Sequence, residues 1–466
     1  MFGKWCHRPS WRRGVYLLVT SDTVAVDLPT TVTTQSQTSV RNSSLRQRIG
    51  WTLLIVLILA AAGELGLRGF RRALSDMQDF AVIYSSTRAF ETGKNPYDPS
   101  AMRVAWLEAS NNQPGDPNPE DLALYPPTTY LLLSPLALMD WTHVRWAWLF
   151  INLICVAVLV VTLTRYWPGK LSSWKVACST AVILGFGPIH TAIAKGQLAV
   201  LVAAILALAI VAEARHAVVL APILIAFAAS LKPQIAAPVV VLYLLQRQWR
   251  AIAVCAGATL GLLGIASLRL YWTGVSWMGS MFRNVGLAAQ PGGVYDPSST
   301  NPLAYQLVNA SALLHVLTSN QAVITLLLAS IGVLVCFFLW KRGKYCLDLL
   351  SDPTAFGAAC VLGLVLVAHR YYDAAVLVFV FVWALREAFS WRSTGALISI
   401  AGCLVMAFPV PALLISSGHS HAPFAISQTL WDAVVLQHQS WVLLIVLFAL
   451  TAALKVSPVL EEQIRL

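Results

Sequence analysis

Twelve apolar windows run through the chain, near residues 51 to 68, 145 to 165, 174 to 192, 197 to 213, 217 to 231, 233 to 246, 251 to 271, 321 to 340, 354 to 368, 374 to 389, 395 to 416 and 437 to 456. Runs of this kind leave few folds open. Inside a bilayer every backbone N–H and C=O must be paired within the protein, and a helix does this within one segment. The apolar residues come in runs rather than with an amphipathic period. Only 11% of the residues are charged, against about 25% in soluble domains. The sequence therefore predicts an all-α, polytopic integral membrane protein with about twelve transmembrane helices.

One further apolar stretch, Leu122 to Met139, carries Pro126, Pro127 and Pro135. Proline removes backbone donors and breaks a straight helix, so this stretch is expected to be re-entrant or broken, lining protein or a water-filled cavity. The basic residues support that count. With a cytoplasmic N-terminal tail (Lys4, Arg8, Arg12, Arg13, Arg41, Arg46, Arg48), the inside also receives Arg165, Lys170, Lys175, Arg215, Arg247, Arg250, Lys341, Arg342, Lys344, Arg386, Arg392, Lys455 and Arg465. Lys and Arg concentrate in short cytoplasmic loops, and counting 122 to 139 as a full span would put these loops outside. The expected organisation is a disordered basic cytosolic tail over 1–49, a membrane-embedded domain over 50–457 with outer loops at 71–122 and 272–320, and a cytosolic C-terminal tail over 458–466.

The same register collects every chemically suggestive cluster on the outer face. Asp79 opens the run QDFAVIYSSTRAFETGKNPYDP at residues 78 to 99. A carboxylate at a membrane boundary costs desolvation and marks a candidate site, although an acid beyond a helix is often only a cap or a solvated residue. Asp76 lies three residues earlier. Lys232 sits between two apolar spans, where it either snorkels or holds a phosphate. Gln197, in AKGQLAV, either begins a helix or joins the site. His369, Arg370, Tyr371, Tyr372 and Asp373 form a set able to bind an anion and handle a proton. His419 and His421 have the spacing of a metal pair but no nearby Cys or carboxylate, and read as an exposed loop. The 8 cysteines are scattered singly, which argues against a zinc site or a disulfide framework.

In order, DFAVIYSSTRAFETGKNPYDP, YPPTTYLLLSPLALM, KGQLAVL, SLKPQ followed by QRQWRA, and HRYYDA resemble the glycosyltransferases of family 87. These are GT-C superfamily enzymes that include polyprenyl-phosphate-mannose-dependent mannosyltransferases, and the likeness runs from about residue 51 to about residue 390. It implies a GT-C-like bundle with an outer-face catalytic loop, Asp79 as catalytic base with Asp76 the weaker substitute, and His369 as a substrate contact. Gly93, Asn95, Pro96 and Tyr97 match the family's turn after the first loop helix. Residues 107 to 121, LEASNNQPGDPNPED, have no counterpart in the pattern and leave the acceptor unassigned.

The implied reaction transfers a sugar, mannose in the first instance, from a polyprenyl-phosphate donor to a hydroxyl of a glycolipid or glycan acceptor at the extracytoplasmic face of the plasma membrane, with both termini cytoplasmic. It needs a base for the hydroxyl proton and cationic groups for the leaving phosphate. Asp79 supplies the base, and Lys232, Arg88 and Arg370 are candidates for the phosphate. Tyr97, Gln197, Tyr372 and Asp373 complete the expected substrate-binding set, with Tyr84, Tyr125, Trp272 and Trp277 as sugar-stacking or entrance residues. A carboxylate opposite the leaving group gives inversion. No cofactor or nucleic acid is expected, and no metal either, because the outer loops hold no DxD motif. The competing reading is a transporter or lipid flippase, but such proteins are often built from repeats with charges at the midplane. Here no repeat is evident and the charges gather at one interface.

Overall fold

The computed structural model describes residues 35–110, 117, 119, 121–166, 172–298, 300–344, 348–388, 393–418, 421–423 and 426–454. The chain separates into Met1–Gly50 and Trp51–Leu466. Residues 1–34 of the expected tail, His419 and the expected C-terminal tail 458–466 lie outside the described residues. A helix begins at Gln35, within the segment expected to be a disordered tail. Among the described residues the regular structure is all helical, its one β-type contact being an isolated antiparallel bridge between Leu307 and Arg370.

Five helices are long and apolar enough to cross a bilayer: Gln47–Arg71, Trp141–Tyr166, Trp249–Trp272, Gln321–Gly343 and Thr394–Ser416. Two bent pairs raise the number to seven, Ser173–Gly185 with Gly187–Lys195 at 41° and Gln428–Leu436 with His438–Ala453 at 53°. Four of the expected windows are instead the short apolar helices Ala199–Ala214, Leu220–Leu231, Pro233–Leu245 and Pro353–Leu366. At 1.5 Å per residue, 12 to 16 residues reach roughly 18–24 Å, less than the roughly 30 Å hydrocarbon core. A twelfth window is Leu377–Ala388, preceded by the tight 3-10 segment Tyr371–Val376. All twelve windows are thus helical, but twelve full-length spans are not what the helix lengths give.

The Leu122 to Met139 stretch forms the 11-residue helix Pro127–Ala137, opened by Pro126 and Pro127 and containing Pro135. Its first turn is tied to the end of Leu220–Leu231: the Thr128 and Thr129 hydroxyls donate to the carbonyl of Ser230 at 2.6 and 3.1 Å, and Thr129 also reaches Leu231 at 3.0 Å. These bonds satisfy carbonyls that a helix end leaves open.

The segment expected to form the first outer loop is largely helical. It holds the helices Gln78–Glu91 and Pro99–Ala109. Phe80 stacks on Trp148 with centroids 4.6 Å apart, and Tyr84, Trp106 and Trp141 form an edge-to-face and tilted cluster beside it. Such pairs contribute about 0.5–1.5 kcal/mol each beyond area burial, so the Gln78–Glu91 helix is fixed on the Trp141–Val161 helix. The hydroxyls of Ser85, Ser86 and Thr87 bond back to carbonyls one turn earlier at 2.7–2.8 Å, which lets a polar triplet be buried in that helix.

The turns sort into two groups at opposite ends of the helices. At one end the Lys175 ammonium donates to the Arg386 carbonyl at 3.0 Å and Leu349 N–H to Gln246 Oε1 at 2.9 Å. At the other end Asp79, Gln197, Lys232 and Asp373 meet.

Candidate active site

Each of these four residues stands at an interruption of a helix. Asp79 follows Met77, whose backbone is left-handed at φ 53°. Met77 N–H donates to the Ala194 carbonyl at 2.9 Å, joining the start of Gln78–Glu91 to the end of Gly187–Lys195. That helix stops at Gly196, φ 71°. A Cβ on Gly196 would lie 2.4 Å from Phe80 Cβ, so glycine serves both the left-handed turn and the close approach. The turn aims Gln197 at Asp79. Lys232 is the joint between Leu220–Leu231 and Pro233–Leu245, held at φ −149° with Pro233 after it. Asp373 lies in the 3-10 segment after Pro353–Leu366 has ended.

A continuous polar chain links them. Gln197 Nε2 donates to Asp79 Oδ2 at 2.5 Å, while Gln197 Oε1 accepts from Tyr125 Oη at 2.7 Å and from Lys232 Nζ at 3.1 Å. Lys232, 2% exposed, also donates to Asp373 Oδ1 at 2.5 Å, and His369 Nδ1 meets Asp373 Oδ2 at 2.9 Å. An ammonium has three N–H donors, so these two acceptors leave one for a ligand. The Tyr372 and Tyr125 rings lie 5.1 and 5.9 Å from Lys232 Nζ. Asp79 Oδ1 has no hydrogen-bond partner among the described residues.

Two cavities adjoin this chain. The first, about 110 Å³, is walled by Asp79, Gln197, Lys232, Tyr125, Tyr295 and Asp373, among others. The second, about 300 Å³, runs past Arg72, Gln78, Thr191, Lys195, Tyr305 and Gln439. Asp79, Asp121, Arg370 and Tyr372 belong to both walls. Burial raises the Asp79 pKa above the ordinary carboxylate value; the Gln197 hydrogen bond and the charges of Arg370 and Lys195 pull it back only in part. Asp79 thus holds a proton more readily than a solvated aspartate does.

Of the expected site residues, the structure brings Asp79, Gln197, Lys232, Arg370, Tyr372 and Asp373 to the cavity walls. It withdraws three others. His369, expected to touch substrate, is buried behind Asp373 and lines neither cavity, so it acts on Asp373. Arg88 turns away: its Nη1 donates to the carbonyls of Ala137 and Met139 at 2.9 and 3.2 Å, closing the C-terminal end of Pro127–Ala137. Tyr97 is fully buried, and its hydroxyl donates to the Tyr125 carbonyl at 2.9 Å. It supports Tyr125 from beneath. Asp76, the weaker candidate base, is ion-paired with Lys195 at 2.9 Å and Arg72 at 3.6 Å. Tyr84 is buried, its hydroxyl donating to the Met139 carbonyl, and Trp272 is exposed and lines neither cavity.

Sequence reasoning missed Asp121 and Tyr295. Asp121 ends the stretch read as a polar excursion, and Tyr295 lies in a loop legible only by its length. Tyr295 is placed by the turn around Asp296, whose carboxylate accepts from Gly292 N–H, Ser298 N–H and the Ser298 and Thr300 hydroxyls at 2.6–2.9 Å. The antiparallel contact through Val308 N–H and the His369 carbonyl, 3.0 Å, ties the same 272–320 stretch to the Arg370 segment. Among the described residues no group of three or more His, Cys, Asp or Glu side chains is arranged to hold a metal.

The sequence profile of glycosyltransferase family 87 matches residues 123–368. The matched stretch contains Tyr125, Gln197 and Lys232 and stops short of Asp79 on one side and of Arg370 and Asp373 on the other. No curated protein and no solved structure matches the chain.

Proposed function

The chain belongs to glycosyltransferase family 87, a GT-C type family, and from that premise we propose that the two cavities are the donor and acceptor halves of one transfer site with Asp79 as the base between them. The protein is a membrane glycosyltransferase. The observation that carries the reading is the position of Asp79 in both cavity walls, with Lys232 on the wall of the first alone and Arg370 on both.

The donor is a polyprenyl-phosphate sugar, with mannose as the sugar, and its phosphate lies against Lys232 and Arg370. The acceptor, a glycolipid or glycan, brings its hydroxyl through the larger cavity. Asp79 Oδ1 takes the hydroxyl proton as the acceptor oxygen attacks the anomeric carbon. The bond from that carbon to the phosphate oxygen breaks, and its electron pair leaves with the lipid phosphate. Attack from the side opposite the leaving group inverts the anomeric centre. Lys232 and Arg370 meet the charge that grows on the phosphate, which is worth most in a site sheltered from water. Two cations suffice for a monophosphate, and the reaction runs without a metal. Asp373, held by His369, keeps Lys232 in place, and Tyr372 and Tyr125 offer ring faces to the sugar.

The site faces the extracytoplasmic side of the plasma membrane, with both termini in the cytoplasm. The twelve apolar windows alternate in direction between the cytoplasmic face and the site, the short ones ending at the hydrated site instead of at the far headgroups. Purified protein given radiolabelled polyprenyl-phosphate mannose should release lipid phosphate and label an acceptor extract in the presence of EDTA. An Asp79→Asn variant that folds and binds donor should lose roughly 10²–10⁴-fold in rate, the usual worth of a general base. Full transfer by that variant would remove Asp79 from the chemistry.

A further inference from the structure

The helix Trp277–Ala289 follows the span Trp249–Trp272 after a four-residue turn and carries an apolar face that the described residues leave exposed. At 3.6 residues per turn, Trp277, Met281, Asn284 and Ala288 share one stripe, and Met278, Phe282 and Val285 share the next, roughly a quarter turn round. The first stripe is the protein side. Asn284 Nδ2, buried, donates to the carbonyls of Tyr97 and Ala123 at 3.0 and 3.2 Å, and Trp277 and Met281 pack on the cluster that includes Tyr97, Tyr130 and Leu270. The Ser280 hydroxyl accepts from Asn95 Nδ2 at 3.0 Å. The second stripe is bare: Met278 is 55% exposed, Phe282 62% and Val285 39%. Exposed Arg283 points to the opposite side.

This stripe continues a surface that already meets lipid. The span Trp249–Trp272 is mostly uncovered by protein and ends in Tyr271 and Trp272, which are 76% and 75% exposed. Aromatic residues of that kind mark the headgroup level of a bilayer. A helix with the Met278, Phe282 and Val285 stripe on one side and Arg283, with Leu287 one turn on, away from it, starting at that level, has the chemistry of a helix lying in the interface.

We infer that Trp277–Ala289 is a bilayer-docked helix whose Met278, Phe282 and Val285 stripe is seated in the leaflet on the site side of the membrane. The consequence reaches the site, because the turn after this helix supplies Val294 and Tyr295 to the wall of the first cavity. The helix therefore sets the height of that wall against the lipid surface, which is where a lipid-borne substrate must be gripped. The docking itself is independent of which sugar or acceptor is used.

The test is a nitroxide scan of the full chain in phosphatidylcholine vesicles. Cysteines are placed singly at Gly279, Met278, Phe282, Arg283 and Val285 in a version whose native cysteines are replaced and which still transfers sugar. Collisions with oxygen, which concentrates in lipid, are compared with collisions with a water-soluble nickel chelate. Oxygen should dominate at 278, 282 and 285 and the nickel chelate at 279 and 283. Dominance of the nickel chelate at all five positions would put the stripe in water and overturn the inference. Exclusion of both reagents at 278, 282 and 285 would also overturn it, with spin–spin broadening in fully labelled samples identifying a second copy as the cover.

Discussion

The Lys232–Asp373 pair offers the sharpest separation of structure from chemistry. Both side chains are at least 95% buried, at 3% and 5% exposure, so solvent screens their attraction little. Changing Lys232 to Met leaves Asp373 with His369 as its remaining partner and takes one of two donors from Gln197 Oε1. Breaking a buried pair from one side costs about 3–5 kcal/mol, and Asp373→Asn, which strands the ammonium, should cost a similar amount. The double variant strands no charge. Its stability should lie above that of either single variant and close to the parent's, a coupling read by unfolding in mixed micelles. Transfer should behave differently. If Lys232 meets the leaving phosphate, the double variant stays down by about 10²–10³-fold in kcat, the usual loss of one preorganised donor. Parent-like transfer by a stable double variant would refute the phosphate role, and single variants within about 0.5 kcal/mol of the parent would refute the burial argument, since losses that small are typical of exposed sites.

The raised pKa of Asp79 fixes a sign. A base works deprotonated, so activity should be lost as pH falls through a value above that of an ordinary aspartate, and Gln197→Ala, which removes the bond that lowers this pKa, should move the acid limb to higher pH in a pH–rate profile. A carboxyl whose pKa is raised by folding costs stability once pH exceeds that pKa, so Asp79→Asn should unfold at a higher temperature than the parent at pH 7. Arg88→Ala frees the carbonyls of Ala137 and Met139 and should cost about 1–3 kcal/mol of stability, in line with losing a charged hydrogen-bond donor, with KM for donor unchanged. For sidedness, a cysteine at exposed Gln290 should react with an impermeant thiol reagent from the extracytoplasmic side only, and labelling from inside would reverse the proposed orientation.

The membrane class and the gathering of polar groups at one end were legible because desolvation cost acts on residue type alone. Asp79, Gln197 and Lys232 were legible for the same reason: each stands at the edge of an apolar run or between two of them. Direction was not legible. Arg88 and Tyr97 lie in the same polar run as Asp79, and only the fold shows that one caps a helix and the other braces Tyr125. His369 and Arg370 are neighbours, yet the bend after Pro353–Leu366 buries the first and turns the second into both cavities. Asp121 and Tyr295 gave no signal, since each reaches the site only through loop geometry that the local sequence does not reveal.

The short helices and the site have one cause. Ala199–Ala214 begins just after Gln197, Leu220–Leu231 and Pro233–Leu245 meet at Lys232, and Pro353–Leu366 ends just before His369. Each falls short of a full crossing at the level of Asp79. A broken helix in a membrane exposes N–H and C=O groups that lipid cannot satisfy, so breaks survive only beside protein or water. Here the breaks satisfy one another, through Met77 and Ala194, through Thr129 and Leu231, and through Val308 and His369. What they leave open is the cavity between them. The same interruptions that shorten four apparent spans therefore deliver a carboxylate, an amide, an ammonium and a guanidinium to a single point, and a full-length helix through any of those positions would remove its residue from the site.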